Sequence, residues 1–105
     1  MARTPIHPGE ILADELGELE ISSAELARRL HVPANRISQL LAGKRAITAD
    51  TALRLARYFG TSADLWMNLQ KTYELELARK EAGKEINTIP QRKLARQLVA
   101  AHATH

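Results

Sequence analysis

Residues 22–45 read SSAELARRLHVPANRISQLLAGKR. Two short helical periods with a turn between them decide the fold. Ser22 is a favoured N-cap and Glu25 stands three residues on, the spacing of a capping box that satisfies two orphan amide donors. Leu26, Ala27 and Leu30 then share one helix face, with Arg28 and Arg29 on the other. His31 stands where this helix should stop, so a positive φ is expected there; the position favours Gly or Asn, and His is among the more tolerant other residues. Pro33 is pre-organised for the first position of a second helix and loses no needed donor. The inward stripe of that helix is Ile37, Leu40 and Leu41, and Gly43 is its natural stop. Its opposite face carries Ala34, Asn35, Arg36, Ser38 and Gln39, small, polar and basic residues with no acid, a set suited to base edges and phosphates. Two abutting helices, a small Ala27 at the close approach, a branched Ile37 and a tight turn describe a helix-turn-helix.

The resemblance is then specific. The pattern resembles the lambda-repressor-like, or XRE-type, DNA-binding domains. Within them, HPGEIL at 7–12, GKRAIT at 43–48, DTALRLARYFG at 50–60 and LWMNLQKTYEL at 65–75 are similar to the HigA-type antitoxins of bacterial toxin–antitoxin pairs. The likeness runs over roughly residues 6–80. His31 departs from it, because relatives usually place Gly at the turn.

Length and composition set the frame. One domain is expected from 105 residues, and 45% hydrophobic with 26% charged residues is ordinary globular material. No apolar run approaches the roughly 20 residues that span a bilayer, and residues 1–8 lack the apolar core of a secretory signal, so a cytoplasmic protein without a membrane partner is expected. The absence of cysteine excludes disulfides and thiolate chemistry. Net charge is only +3, but it is unevenly spread: seven Lys or Arg and one acid, Asp50, lie between Arg28 and Arg57, whereas five acids and no base lie between Glu10 and Glu20. A bipolar small domain with a phosphate-binding face carries charge in this way.

Working outward, Pro8 and Glu10 open a first helix to about Leu19, with Leu12, Leu16 and Leu19 inward and Asp14, Glu15 and Glu18 facing away. Beyond Gly43, Lys44 and Arg45 fall in a loop that would follow a DNA backbone. Thr48 caps a fourth helix over 49–59, with Ala52, Leu55, Ala56 and Phe59 inward, Arg54 and Arg57 on its exposed side, and Gly60 as its stop. Thr61 or Ser62 caps a fifth helix over about 62–81, with Leu65, Trp66, Leu69, Tyr73 and Leu77 as its apolar stripe and Gly83 as its breaker. Met67 and Leu75 lie on another face of it, where a single domain has little left to bury them against; they are the expected dimer contacts. GKEINTIPQ reads as a linker or short edge strand, and QRKLARQLVAA after Pro90 as one more helix. The expected fold is all-α, a lambda-repressor-like five-helix domain over 1–82 with its recognition helix at about 33–42, followed by a C-terminal extension over 83–105 that would carry the further helix and a dimer or toxin contact.

Catalytic chemistry finds no foothold. His7, His31, His102 and His105 form no metal-ligand spacing, every Gly is isolated rather than part of a phosphate loop, and no serine has a His and an acid to complete a triad. No cofactor, no metal and no enzymatic activity are expected. The resemblance implies a homodimeric antitoxin that represses its own operon and neutralises a HigB-type mRNA-cleaving toxin. On this view Ala34, Asn35, Arg36 and Gln39 contact bases, with the amides of Asn35 and Gln39 matched to adenine. Ser22, Ser23, Ser38, Lys44, Arg45 and Arg54 hold phosphates. Two alternatives stay open: a stand-alone or prophage repressor without a toxin, and a protein-interaction module that binds no DNA.

Overall fold

The first helix is started by a residue that helix preferences overlook. In the computed structural model, which describes residues 4–92, His7 is the N-cap of α1 (Pro8–Leu19). Its Nδ1 accepts the Gly9 N–H at 2.9 Å, and its own backbone N–H donates to Glu10 Oε2 at 3.1 Å, closing a reciprocal box. The imidazole is buried edge-on against the Tyr73 ring at 4.8 Å. The remaining elements are α2 (Ser23–Leu30), α3 (Ala34–Leu41), α4 (Ala49–Phe59) and α5 (Ala63–Ile86). No strand occurs among the described residues.

α2 packs on α3 and α4 on α5, while α1 lies against α3 and α5 and α2 also meets α4. One core joins them: Leu12 and Leu16, Leu26, Ala27 and Leu30, Ile37 and Leu40, Ala52, Leu55 and Ala56, and Trp66, with Ile47 from the α3–α4 loop. Among the described residues no helix is long and apolar enough to cross a membrane.

Several sequence expectations are corrected. Leu19 is 47% exposed rather than inward, because Glu20 turns left-handed at φ 55° and Ile21, whose N–H returns to Leu16 O, packs against the core in its place. Pro33 is the N-cap of α3 rather than its first residue; its ψ of 145° keeps it extended, and the helix starts at Ala34. Ser62, not Thr61, caps α5, and the Thr61 hydroxyl instead accepts the Trp66 indole N–H at 2.9 Å. Leu65 is exposed, because the stripe is centred on Trp66 and on a polar residue, Gln70, which is 5% exposed. Gln70 Oε1 accepts the Ile47 N–H at 2.8 Å and its Nε2 donates to Glu74 at 2.8 Å, so its burial leaves no polar atom unmatched. Gly83 does not break α5. Its carbonyl still accepts from Asn87 at 2.9 Å, since one Gly costs only about 1 kcal/mol against Ala and the helix propagates through it. GKEI is therefore helical, the residues after it form a turn, and the boundary placed after residue 82 falls inside α5. The helix expected after Pro90 lies largely outside the described residues.

Candidate nucleic-acid interface

The rotation of α3 about its axis decides which side chains meet solvent. Ile37 and Leu40 are completely buried, so Ala34, Asn35, Ser38 and Gln39 must point out, and all four are exposed. The helix cannot retreat from this setting. A Cβ built on Gly9 of α1 would lie 2.0 Å from the Leu40 carbonyl oxygen, a backbone approach that only glycine permits.

Both helices of the motif are ended by left-handed residues. His31 has φ 60°, with its own N–H on Arg28 O and the Val32 N–H on Ala27 O, so the expected positive φ at the turn is present. At the end of α3, Gly43 (φ 75°) donates to Leu40 O at 3.1 Å and Lys44 to Gln39 O at 2.9 Å, the paired bonds of a Schellman stop. This folds the loop back over the last turn of α3, and the buried Ile47–Gln70 bond pins its far side. Arg45 then reaches Gln39: its Nε (3.0 Å) and Nη2 (2.7 Å) both donate to Gln39 Oε1. Lys44 is exposed and has no ion pair among the described residues.

The arginines of α2, early α3 and α4 are placed differently. Arg36 Nη1 lies 2.6 Å from Asp50 Oδ2, and Arg54 Nε lies 2.9 Å from the same oxygen. Hydrogen bonds from Arg54 first and Arg36 second hold the Asp50 carboxyl below the usual carboxylate range. Arg54 also donates from Nη1 to Leu30 O (2.9 Å) and His31 O (3.3 Å), satisfying carbonyls at the left-handed end of α2. Arg28 and Arg29 hydrogen-bond Glu25, lowering its pKa to about 2. Arg29 also donates to the Tyr58 hydroxyl at 2.7 Å. Ser22 caps α2 by accepting the Glu25 N–H at 3.1 Å, as its position implies, but the return bond of the expected box is replaced by these arginine contacts.

Of the residues singled out by sequence, Ala34, Asn35, Ser38, Gln39, Lys44 and Arg45 thus lie on one solvent-facing run of α3 and its following loop. Ser22 and Ser23 sit at the start of α2. Arg36 and Arg54 are drawn to Asp50. Met67 (37% exposed) and Leu75 (45% exposed) stand apart on α5. Sequence reasoning missed Asp50 as the hub of two arginines, although the Asp50–Arg54 spacing of four was readable as a helical pair. The Arg36–Asp50 and Arg45–Gln39 contacts depend on how loops close, and no local pattern signals them.

A helix-turn-helix family model matches residues 12–66. The chain is 50% identical to an addiction module antidote protein of the HigA family from Coxiella burnetii, with a TM-score of 0.84 over 87% of this chain and 100% of that one. This chain belongs to the helix-turn-helix family, in its XRE-type, HigA-like branch. It is also 50% identical to the antitoxin HigA of Pseudomonas aeruginosa, solved with the higBA promoter, with a TM-score of 0.81 over 86% of this chain and 99% of that one. Virulence-associated protein I of Dichelobacter nodosus is 49% identical over 72% of this chain and 71% of its own length. The second helix of the helix-turn-helix motif in this chain is α3.

Proposed function

We propose that this chain is the antitoxin of a type II toxin–antitoxin pair, a homodimer that represses its own operon and neutralises a HigB-type mRNA-cleaving toxin. The observation that carries the DNA half is the outer face of α3, whose exposed Ala34, Asn35, Ser38 and Gln39 include no acid and lead directly into Lys44, which has no ion pair among the described residues. Half-identity to a HigA solved with promoter DNA supports the same reading.

Each subunit lays α3 in a major groove. Asn35 and Gln39 present amides to base edges, and Ala34 offers a methyl surface. Ser22, Ser23, Ser38, Lys44 and Arg45 hold phosphates and fix the register. Arg36 reaches a guanine or phosphate by exchanging its Asp50 contact, and Arg54 serves a flanking phosphate with the donors that remain. Met67 and Leu75 join two subunits, which sets the spacing of two recognition helices. The family is one of DNA-binding regulators and antitoxins rather than enzymes.

Nuclease footprinting on the chain's own upstream DNA tests the repressor role, with a protected two-fold site as the expected result. Co-expression with the neighbouring gene tests the toxin role. A small basic ribonuclease that co-purifies and loses activity is expected; a repressor that footprints but has no such neighbour is a stand-alone regulator.

A further inference from the structure

Gln39 does not stand alone on the recognition face. Its carbonyl oxygen carries two lone pairs, and two N–H groups of Arg45 already point at it, from Nε at 3.0 Å and Nη2 at 2.7 Å. The amide cannot be turned the other way, because that would set an NH2 donor against a guanidinium that has only donors. The Schellman stop fixes the backbone on both sides of the pair, since Lys44 N–H is bonded to the Gln39 carbonyl. The amide therefore faces solvent with its NH2 alone.

This bears on which base the position can read. Pairing with adenine needs both halves of the amide, the oxygen to accept from N6 and the NH2 to donate to N7. With the oxygen occupied, adenine N6–H has no acceptor. Guanine presents two acceptors, N7 and O6, and no donor in the major groove, which matches an edge that only donates. Thymine offers one acceptor, and cytosine a donor that meets another donor.

Resting on the DNA-binding reading above, we infer that Arg45 and Gln39 act as one donor-only unit that selects guanine, with Arg45 as the residue that sets the preference of Gln39. Arg45 keeps further N–H groups free of Gln39 for a phosphate or for the same base.

The test uses the full chain and its footprinted operator. Gln39→Ala first locates the base pair, as the one position where discrimination between the four bases is lost. At that pair the wild type prefers guanine over adenine by roughly tenfold to a hundredfold, and 2-aminopurine, which keeps N7 but lacks the O6 acceptor, loses much of the gain. Arg45→Met removes the fork and the charge, returns the Gln39 oxygen to the groove and moves the preference towards adenine; Arg45→Lys, whose ammonium can still donate to that oxygen, moves it less in the same direction. Arg45 is exposed, so neither change threatens the fold, and circular dichroism checks it. Preference for adenine in the wild type, or an Arg45→Met variant with unchanged base preference, overturns the inference while leaving the DNA-binding role standing. A folded wild type that binds its own upstream DNA no better than unrelated DNA overturns both.

Discussion

Two sides of this small domain, one with four paired arginines and the other with Lys44 and Arg45, treat these cations oppositely. On the α2–α4 side, Arg28, Arg29, Arg36 and Arg54 are matched to Glu25 and Asp50, and Arg54 also closes the end of α2. On the side of α3 and its following loop, Lys44 has no carboxylate partner among the described residues and Arg45 is held by a neutral amide. A charge count therefore overstates the field available to a polyanion on the first side and describes it well on the second. In the free chain the pairs of the first side tie α2, α3 and α4 to one another.

The largest effect is expected where the two sides share a support. Ile37→Ala empties the buried side of α3, and should cost about 2–5 kcal/mol in a denaturant titration and lose DNA binding with the fold. Asn35→Ala leaves stability within about 0.5 kcal/mol, yet should weaken operator binding by about 1–3 kcal/mol, with the loss concentrated at one base pair in competition assays. Lys44→Ala should weaken binding equally on all sequences and flatten the salt dependence by about one counterion. Arg28→Ala is the matched control from the other side, and its salt slope should stay at the wild-type value; equal slopes in the two variants would erase the contrast. The smallest effect is the acid response of Glu25. Because its pKa is lowered, its contribution to stability is present above the ordinary value of 4.5 and is lost as pH falls towards about 2, so Glu25→Gln should show a shallower acid-melting profile over that window.

Local rules reach far into this chain. The αL turn at His31, the Thr48 cap, the left-handed Gly60 and the inward stripes of α2 and α4 follow from spacing and capping, because the chemistry involved lies within one turn. The outward set on α3 follows from the same periodicity, since Ile37 and Leu40 leave it no other face. The failures share a different origin. His7 is absent from the usual N-cap preferences and serves because the Tyr73 ring and Gly9 enclose it. Gln70 sits on a buried stripe because a loop N–H twenty-three residues away needs an acceptor. Gly83 looked like a stop, but a single glycine late in a long helix is a weak one. Arg36 looked like a free cation because only tertiary closure brings it to Asp50, whereas Arg54 meets the same carboxylate at i,i+4 within α4.

The central claim, that the outer face of α3 with its loop reads operator DNA, is tested most directly by a gel-shift salt titration. The purified chain is compared on its own upstream DNA and on unrelated DNA of the same length. A preference for the upstream DNA that survives physiological salt is the predicted result. Weak binding that is equal on both DNAs and vanishes as salt rises would contradict it, leaving the basic face with only non-specific attraction to phosphate.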